Sequence, residues 1–402
     1  MKKNAILAYI GFMVLMVALG ASDAMRGVFM PIFGTHFSRT NAQLAAILTV
    51  SYIGNLVFLL AGGRLADRKK RKPAFLLGVI LWLGALVLYL LTDNYLCLVA
   101  GMFFSMGAST LTSTLINVMA SYIFTGAPAA VVSTLFFIQS IGTTGSQKLA
   151  GSFADSFSSW KIANAILLAL GAAALLILAF VRFPEREAIP EREAIPEREA
   201  IPEREALPDE KSFRYRDAVR SRAFPLLVLM FGFYFIAEHS IMNWFVSIGT
   251  QAFGLTMERA STCLALFFGG IMAGRLVFAP LVQKLGVRRA ILLFGGAATG
   301  LYAVGGLLGQ TGVWLLAGSG IFFSILYPSM VMMIRSYYPD SGTATATGLV
   351  ISAATLFDIG WNAVFGSLMD RMGAGNAYLF LPVAMVLFFA CCVLLLRKAC
   401  AR

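Results

Sequence analysis

Residues 63–72 read Gly-Arg-Leu-Ala-Asp-Arg-Lys-Lys-Arg-Lys: a small-residue helix end, one carboxylate at Asp67 and a run of basic side chains. The stretch closes an apolar run at 41–65 and precedes another at 73–92. A diverged copy, Ala-Pro-Leu-Val-Gln-Lys-Leu-Gly-Val-Arg, stands at 279–288. Gly-Ser-Leu-Met-Asp-Arg-Met-Gly at 366–373 and the remnant Gly-Ser-Phe-Ala-Asp at 151–155 end two further apolar runs. One loop pattern thus follows the second, fifth, eighth and eleventh runs, on alternate faces of a membrane. Nested three-helix inverted repeats produce that periodicity.

Composition points the same way. Of 402 residues, 59% are hydrophobic and 13% charged, against about 45–50% and about 25% in an ordinary soluble domain. A soluble globular protein, a disordered chain and a disulfide scaffold are excluded. A spanning helix needs about 20 mostly apolar residues. Twelve runs qualify, at 5–33, 41–65, 73–92, 95–124, 127–153, 160–181, 222–249, 258–283, 288–309, 313–337, 343–369 and 376–397. The expectation is an all-α membrane protein with twelve transmembrane helices in two pseudo-symmetric six-helix bundles, residues 1–181 and 222–402. The first run continues to Phe33 without a small-residue cleavage pattern, so it reads as a span and not as a removable signal.

The net charge of +12 fits nucleic-acid binding only if the basic residues cluster on one surface; instead they sit between apolar runs. With the N-terminus inside, the cytoplasmic side takes Lys2, Lys3, Arg64, Arg68, Lys69, Lys70, Arg71, Lys72, Lys284, Arg288, Arg289, Arg335, Arg397, Lys398 and Arg402. The outer side takes only Arg39, Lys161, Arg259 and Arg371. This imbalance puts both termini in the cytoplasm of a multi-pass plasma (inner) membrane protein. Five cysteines without metal-like spacing and two histidines, His36 and His239, build no metal site or disulfide framework. No cofactor, metal or nucleic-acid partner is expected, and the chain is expected to be a monomer in the lipid bilayer.

Residues 182–221 form the expected cytoplasmic linker. PEREAI occurs at 184–189, 190–195 and 196–201, followed by PEREAL at 202–207. A proline every sixth residue interrupts a helix, and alternating Glu and Arg leave too little apolar surface to fold.

The Gly-x-Leu-Ala-Asp-Arg loop with its basic cluster resembles the signature of the major facilitator superfamily, with Lys70 in place of a usual glycine. The resemblance covers the chain apart from the linker. It implies two bundles that rock about a site near the membrane midplane. The pattern Gly20-x-x-Asp23-x-x-x-Gly27-x-x-x-Pro31, with Glu238, Trp244 and Gly274-Arg275, further resembles the fucose–galactose–glucose:proton symporter family. Membership implies sugar uptake coupled to protons. That family's fourth span often carries Glu-Thr-x-x-Asn; the matching stretch here is Ser113-Thr114-Leu115-Ile116-Asn117, which keeps the asparagine and lacks the carboxylate.

Carboxylates within apolar runs are costly and mark function. Asp23 and Arg26, three residues apart, share a helical face and suit either an ion pair or a proton-linked switch. Glu238 lies 41 residues before Ala279, as Asp23 lies 40 before Gly63, so the two carboxylates occupy equivalent places. Asp23, Arg26, Glu238 and Asp358 are the expected proton-coupling residues. Asn117, Gln139, Asn243, Trp244, Tyr327, Trp361 and Asn362 are the expected solute contacts, amides and aromatic faces being suited to sugar rings. His239 points about 100° from Glu238 on a helix and reads as structural. Gln147 and Lys148 are weaker solute contacts. Asp67, Arg68, Arg71 and Arg275 are expected at gates. The function this supports is secondary active transport by alternating access: proton-coupled uptake of a sugar or similar small polar solute. The alternative is a proton-driven exporter of amphipathic or drug-like compounds, which 18 methionines and 33 phenylalanines would suit. The residues offer no histidine pair for a metal and no catalytic serine or cysteine constellation, so an enzyme is not expected.

Overall fold

A computed structural model describes residues 2–66, 72–124, 128–181 and 215–400. Asp67, Arg68, Arg71 and the PEREAI repeats lie outside the described residues. Every regular element among those described is a helix. The first half forms α1 (Lys2–His36), α2 (Asn41–Ala66), α3 (Lys72–Leu91), α4 (Tyr95–Ile123), α5 (Pro128–Phe153) and α6 (Phe157–Phe180). After a short helix α7 (Tyr215–Arg220), the second half forms α8 (Phe224–Gln251), α9 (Met257–Leu285), α10 (Val287–Leu307), α11 (Val313–Phe323), α12 (Leu326–Ile334), α13 (Asp340–Met372), α14 (Ala374–Tyr378) and α15 (Phe380–Cys400).

Three differences from the sequence expectation have local causes. The run at 313–337 is not one helix: α11 and α12 meet at a bend of 40°. Pro328 has no N–H to give the carbonyl of Ser324, and its ring crowds that turn. Pro382 acts likewise at Tyr378, where α14 gives way to α15. The third difference is α7, which folds inside the segment read as linker. Its Ala218 is buried and accepts a hydrogen bond from Tyr338 Oη at 3.1 Å, so the end of that segment is fastened to the α12–α13 connection.

Among the described residues, ten helices are long and apolar enough to cross a membrane, and the bent α11–α12 pair is an eleventh. The remaining expected span is α5, with 26 residues. It is long enough, at about 1.5 Å per residue, but Gln139, Thr143, Thr144, Ser146, Gln147 and Lys148 make it too polar to qualify alone. The fold hides that polarity by packing α5 between α1 and α9.

Helices α1–α6 pack on one another, as do α8–α15, and the two sets meet along α5–α9, α2–α13 and α1–α8. The closest approaches are made by glycine. A Cβ added to Gly27 on α1 would lie 2.0 Å from the Met242 carbonyl oxygen on α8. One added to Gly366 on α13 would lie 2.2 Å from the Asn41 carbonyl oxygen on α2. Both contacts sit toward the ends of the helices remote from the chain termini.

The acidic residues of the repeated loop motif bind the starts of neighbouring helices there. Asp370 accepts from the backbone N–H groups of Asn41 and Ala42 at 3.0 and 2.7 Å and from Asn41 Nδ2 at 2.9 Å, and so caps α2 from the opposite set. Asp155, between α5 and α6, accepts from Ser159 and Ser156, and these donors hold its carboxyl below the usual range. Lys148 on α5 reaches Glu258 at 3.3 Å and Thr262 at 2.9 Å on α9. The face remote from the termini is thus sealed by glycine contacts, a cross-cap and an ion pair.

Gly27→Val is expected to wedge α1 from α8 and loosen that seal. Thiol labelling of a cysteine placed at Thr250, in a background free of native cysteines, should rise several-fold. Unchanged labelling would show that the seam does not depend on this approach.

Candidate functional site

The site begins at Arg26, which is 2% exposed. Its guanidinium does not pair with Asp23. Nη1 donates to Ser51 Oγ at 2.9 Å on α2, Nε to Asn243 Oδ1 at 3.3 Å on α8, and the group lies 4.9 Å from the centre of the Tyr52 ring. Asn243 Nδ2 donates to Tyr52 Oη at 3.0 Å. One buried cation therefore joins α1, α2 and α8. Of the two readings of Asp23 and Arg26, the ion pair is not formed: the spacing puts both on one helical sector, but α2 and α8 supply Arg26 with acceptors in Ser51 and Asn243. Asp23 is half-buried and accepts from Ser109 Oγ on α4 at 2.7 Å.

A second chain of contacts starts one side chain away. The Tyr52 ring stacks on His239 with centroids 5.6 Å apart, and Phe235 stacks on the other face of the imidazole at 5.1 Å. His239 Nδ1 lies 2.7 Å from Asp358 Oδ2. Asp358 is 1% exposed and also accepts from Asn362 Nδ2 at 3.1 Å; Asn362 Oδ1 accepts from Trp244 Nε1 at 3.3 Å. Buried carboxylates need such donors. Trp244 and Asn362 are fully enclosed, their polar atoms spent on one another. Trp361 donates to Ser240 Oγ at 2.9 Å and packs on Phe365. The sequence assigned these three to solute contact; in the fold their N–H groups are engaged by Asn362, Ser240 and Asp358.

Glu238, half-buried, stands apart from this chain. Its charge and that of Arg275 both act on Tyr234 and Tyr327. Tyr327 packs among Phe231, Tyr234 and Phe235, with centroids 6.0–6.3 Å away. Arg275 lies exposed beside the α11–α12 bend and lines a cavity of about 520 Å³ with Ser324, Pro328 and Ser329. Gln139 packs where α5 meets α1, close to Gly20. Asn117 is half-buried eight residues beyond Ser109 on α4. The structure thus brings Arg26, Asn243 and Asp358 into one seam, and Glu238, Tyr327 and Arg275 into another cluster. Asp23, Asn117 and Gln139 lie with the first set of helices.

Sequence reasoning missed Ser51, Tyr52 and Ser109, whose residue types are common and give no signal. It set His239 aside because its angle was compared with Glu238 alone. The partner that gives it a role, Asp358, is 119 residues away. No group of three or more metal-ligating residues occurs among the described residues.

The polar seam between two six-helix sets is the arrangement of a transporter. The chain belongs to the Major Facilitator Superfamily, whose family model matches residues 6–356. Several solved structures share the fold at low identity. A POT family transporter in complex with a thioalcohol-conjugated peptide matches at TM-score 0.73 and 15% identity, over 99% of this chain and 96% of that one. The nucleoside transporter NupG matches at 0.71 and 14%, over 98% of each chain. The E. coli fucose:proton symporter FucP matches at 0.60 and 16%, over 98% of each. Among curated proteins, none matches the sequence.

Asp358→Ala removes the acceptor of both His239 and Asn362 from a buried position. It is expected to cost about 3 kcal/mol of stability, and Asp358→Asn less. Thermal unfolding in detergent measures both. A midpoint for Asp358→Ala equal to wild type would dismiss the network as a structural element.

Proposed function

We propose that the chain is a secondary active transporter that takes up a small polar, sugar-like solute with protons by alternating access. Residues 1–181 and 222–402 act as the two moving bodies, with both termini in the cytoplasm of a plasma (inner) membrane and the chain working as a monomer. The observation that carries this reading is the polar seam at Arg26. It ties α1 and α2 to α8 from atoms on both sets of helices, while Asp23 and Glu238 stay partly accessible and out of any ion pair among the described residues. With cytoplasmic termini, the sealed face is the outer one, and this is an inward-facing arrangement.

Coupling follows from the competition for charge. Arg26 donates to Ser51 and Asn243 and forms no ion pair with Asp23, a state that suits a protonated carboxylate. Parting of the seam frees Arg26 to turn along its own helix toward Asp23 and favours release of the proton. Glu238 and the His239–Asp358 pair offer the equivalent relay on α8 and α13. Asn117, Gln139 and Tyr327 offer amide and hydroxyl groups to the solute. Asp67, Arg68 and Arg71 are assigned to the gate on the cytoplasmic face, where their loop belongs by the orientation above.

Purified protein in liposomes with a trapped pH dye tests this. One polar solute from a panel should drive proton entry, and Asp23→Asn or Glu238→Gln should cut that entry at least tenfold while solute counterflow persists. Solute uptake without proton movement would remove the coupling. Proton release driven by amphipathic cations alone would favour the export alternative.

A further inference from the structure

Of the charged side chains placed well inside the described spans, four are engaged within the protein. Asp23 accepts from Ser109, Arg26 donates to Ser51 and Asn243, Lys148 meets Glu258, and Asp358 meets His239. Glu238 and Arg275 remain. They carry opposite charges on neighbouring helices and share Tyr234 and Tyr327 as electrostatic neighbours. Yet they form no ion pair within the described residues.

Arg275 is the more demanding of the two. Its guanidinium keeps its charge at any working pH, and at membrane depth it needs water or an anion. It sits ten residues before the end of α9, roughly 15 Å along the axis at 1.5 Å per residue. Among the described residues, the cavity it lines contains the hydroxyl-bearing Ser324 and Ser329 and otherwise apolar or glycine residues, with no carboxylate. Ser324 Oγ is already donated to the Ile321 carbonyl at 2.6 Å. Gly274 lets the α9 backbone press against Ser324, which sets Arg275 beside the bend between α11 and α12. A roomy cavity with one fixed cation and no carboxylate among its described lining residues is complementary to an anion. The planar fork of arginine fits a carboxylate or phosphate with two parallel hydrogen bonds.

We propose that the transported solute carries an anionic group and that Arg275 receives it: the solute is a small polyhydroxylated acid, such as a sugar acid, and not a neutral sugar. This deepens the transport reading above and rests on it. Tyr327, which feels the charge of Arg275, and the hydroxyls of Ser324 and Ser329 in the same cavity remain for the hydroxyl groups.

The test uses the full chain, with direct binding measured in detergent and uptake in liposomes. The probes are D-gluconate, D-glucuronate, D-glucose 6-phosphate and D-glucose. The expected result is saturable binding and uptake of a carboxylate probe. Arg275→Gln should raise its KM at least tenfold, and Arg275→Lys should raise it less, since the charge is kept and the fork lost. Unchanged elution and thermal midpoint establish that the variants fold, and if Arg275→Gln does not, the Lys variant alone still reports a KM. Selection of glucose 6-phosphate over the carboxylates supports the inference with phosphate as the anion. Binding or uptake of D-glucose alone, binding of none of the three anions, or a wild-type KM in Arg275→Gln overturns it. Anion binding without flux of any probe overturns the transport reading and leaves the anion site standing.

Discussion

A guanidinium buried among apolar helices has to be satisfied from within, and most of the arrangement of this protein follows from how Arg26 is. Its partners come from two other helices: Ser51 and the Tyr52 ring on α2, and Asn243 on α8. No one six-helix set supplies them all. The two sets are therefore held together by a cation that neither could bury alone. The glycine approaches at Gly27 and Gly366 let the backbones close far enough for those bonds to form. Asp370, capping α2 from the end of α13, extends the fastening to the outermost turn.

Hydropathy and spacing carried the fold. The need for about 20 apolar residues per crossing is a constraint on composition, so the spans are visible without any neighbour. The repeated motif is visible because its residues are local. What stayed hidden is whatever depends on a distant partner. The spacing of Asp23 and Arg26 says they share a sector, but not that Asn243, 217 residues on, outcompetes the carboxylate for the cation. Asp358 and Asn362 were legible as a pair because they are four apart on one helix. Trp244 and Trp361 read as platforms for a sugar ring, whereas their ring N–H groups are tied to Asn362 and Ser240. The break in the tenth span was written in Pro328, but a run of apolar residues conceals it.

The two charged clusters divide the work differently. Around Arg26, His239 and Asp358, each charged group has polar partners within the protein, so the energy of these contacts belongs to the choice between conformations. Around Glu238 and Arg275, opposite charges stand close and unpaired within an aromatic wall, which leaves their energy available to something that enters. The ring stack Tyr52–His239–Phe235–Tyr327 joins the two clusters physically. A displacement of Tyr327 by solute has a packed route to the imidazole that holds Asp358.

The polarity of α5 has a consequence for how the protein is made. A helix carrying Gln139, Gln147 and Lys148 partitions poorly into lipid by itself, so it gains its place only when α1 and α4 are already beside it. Its α9 face stays uncovered until the second half of the chain has been synthesised. The ribosome thus delivers a half-protein with an exposed polar seam, and completion of biogenesis is coupled to the arrival of the same partner that later moves against it. Damage to α9 would then be felt first as failed membrane integration and quality-control removal, before any question of activity arises.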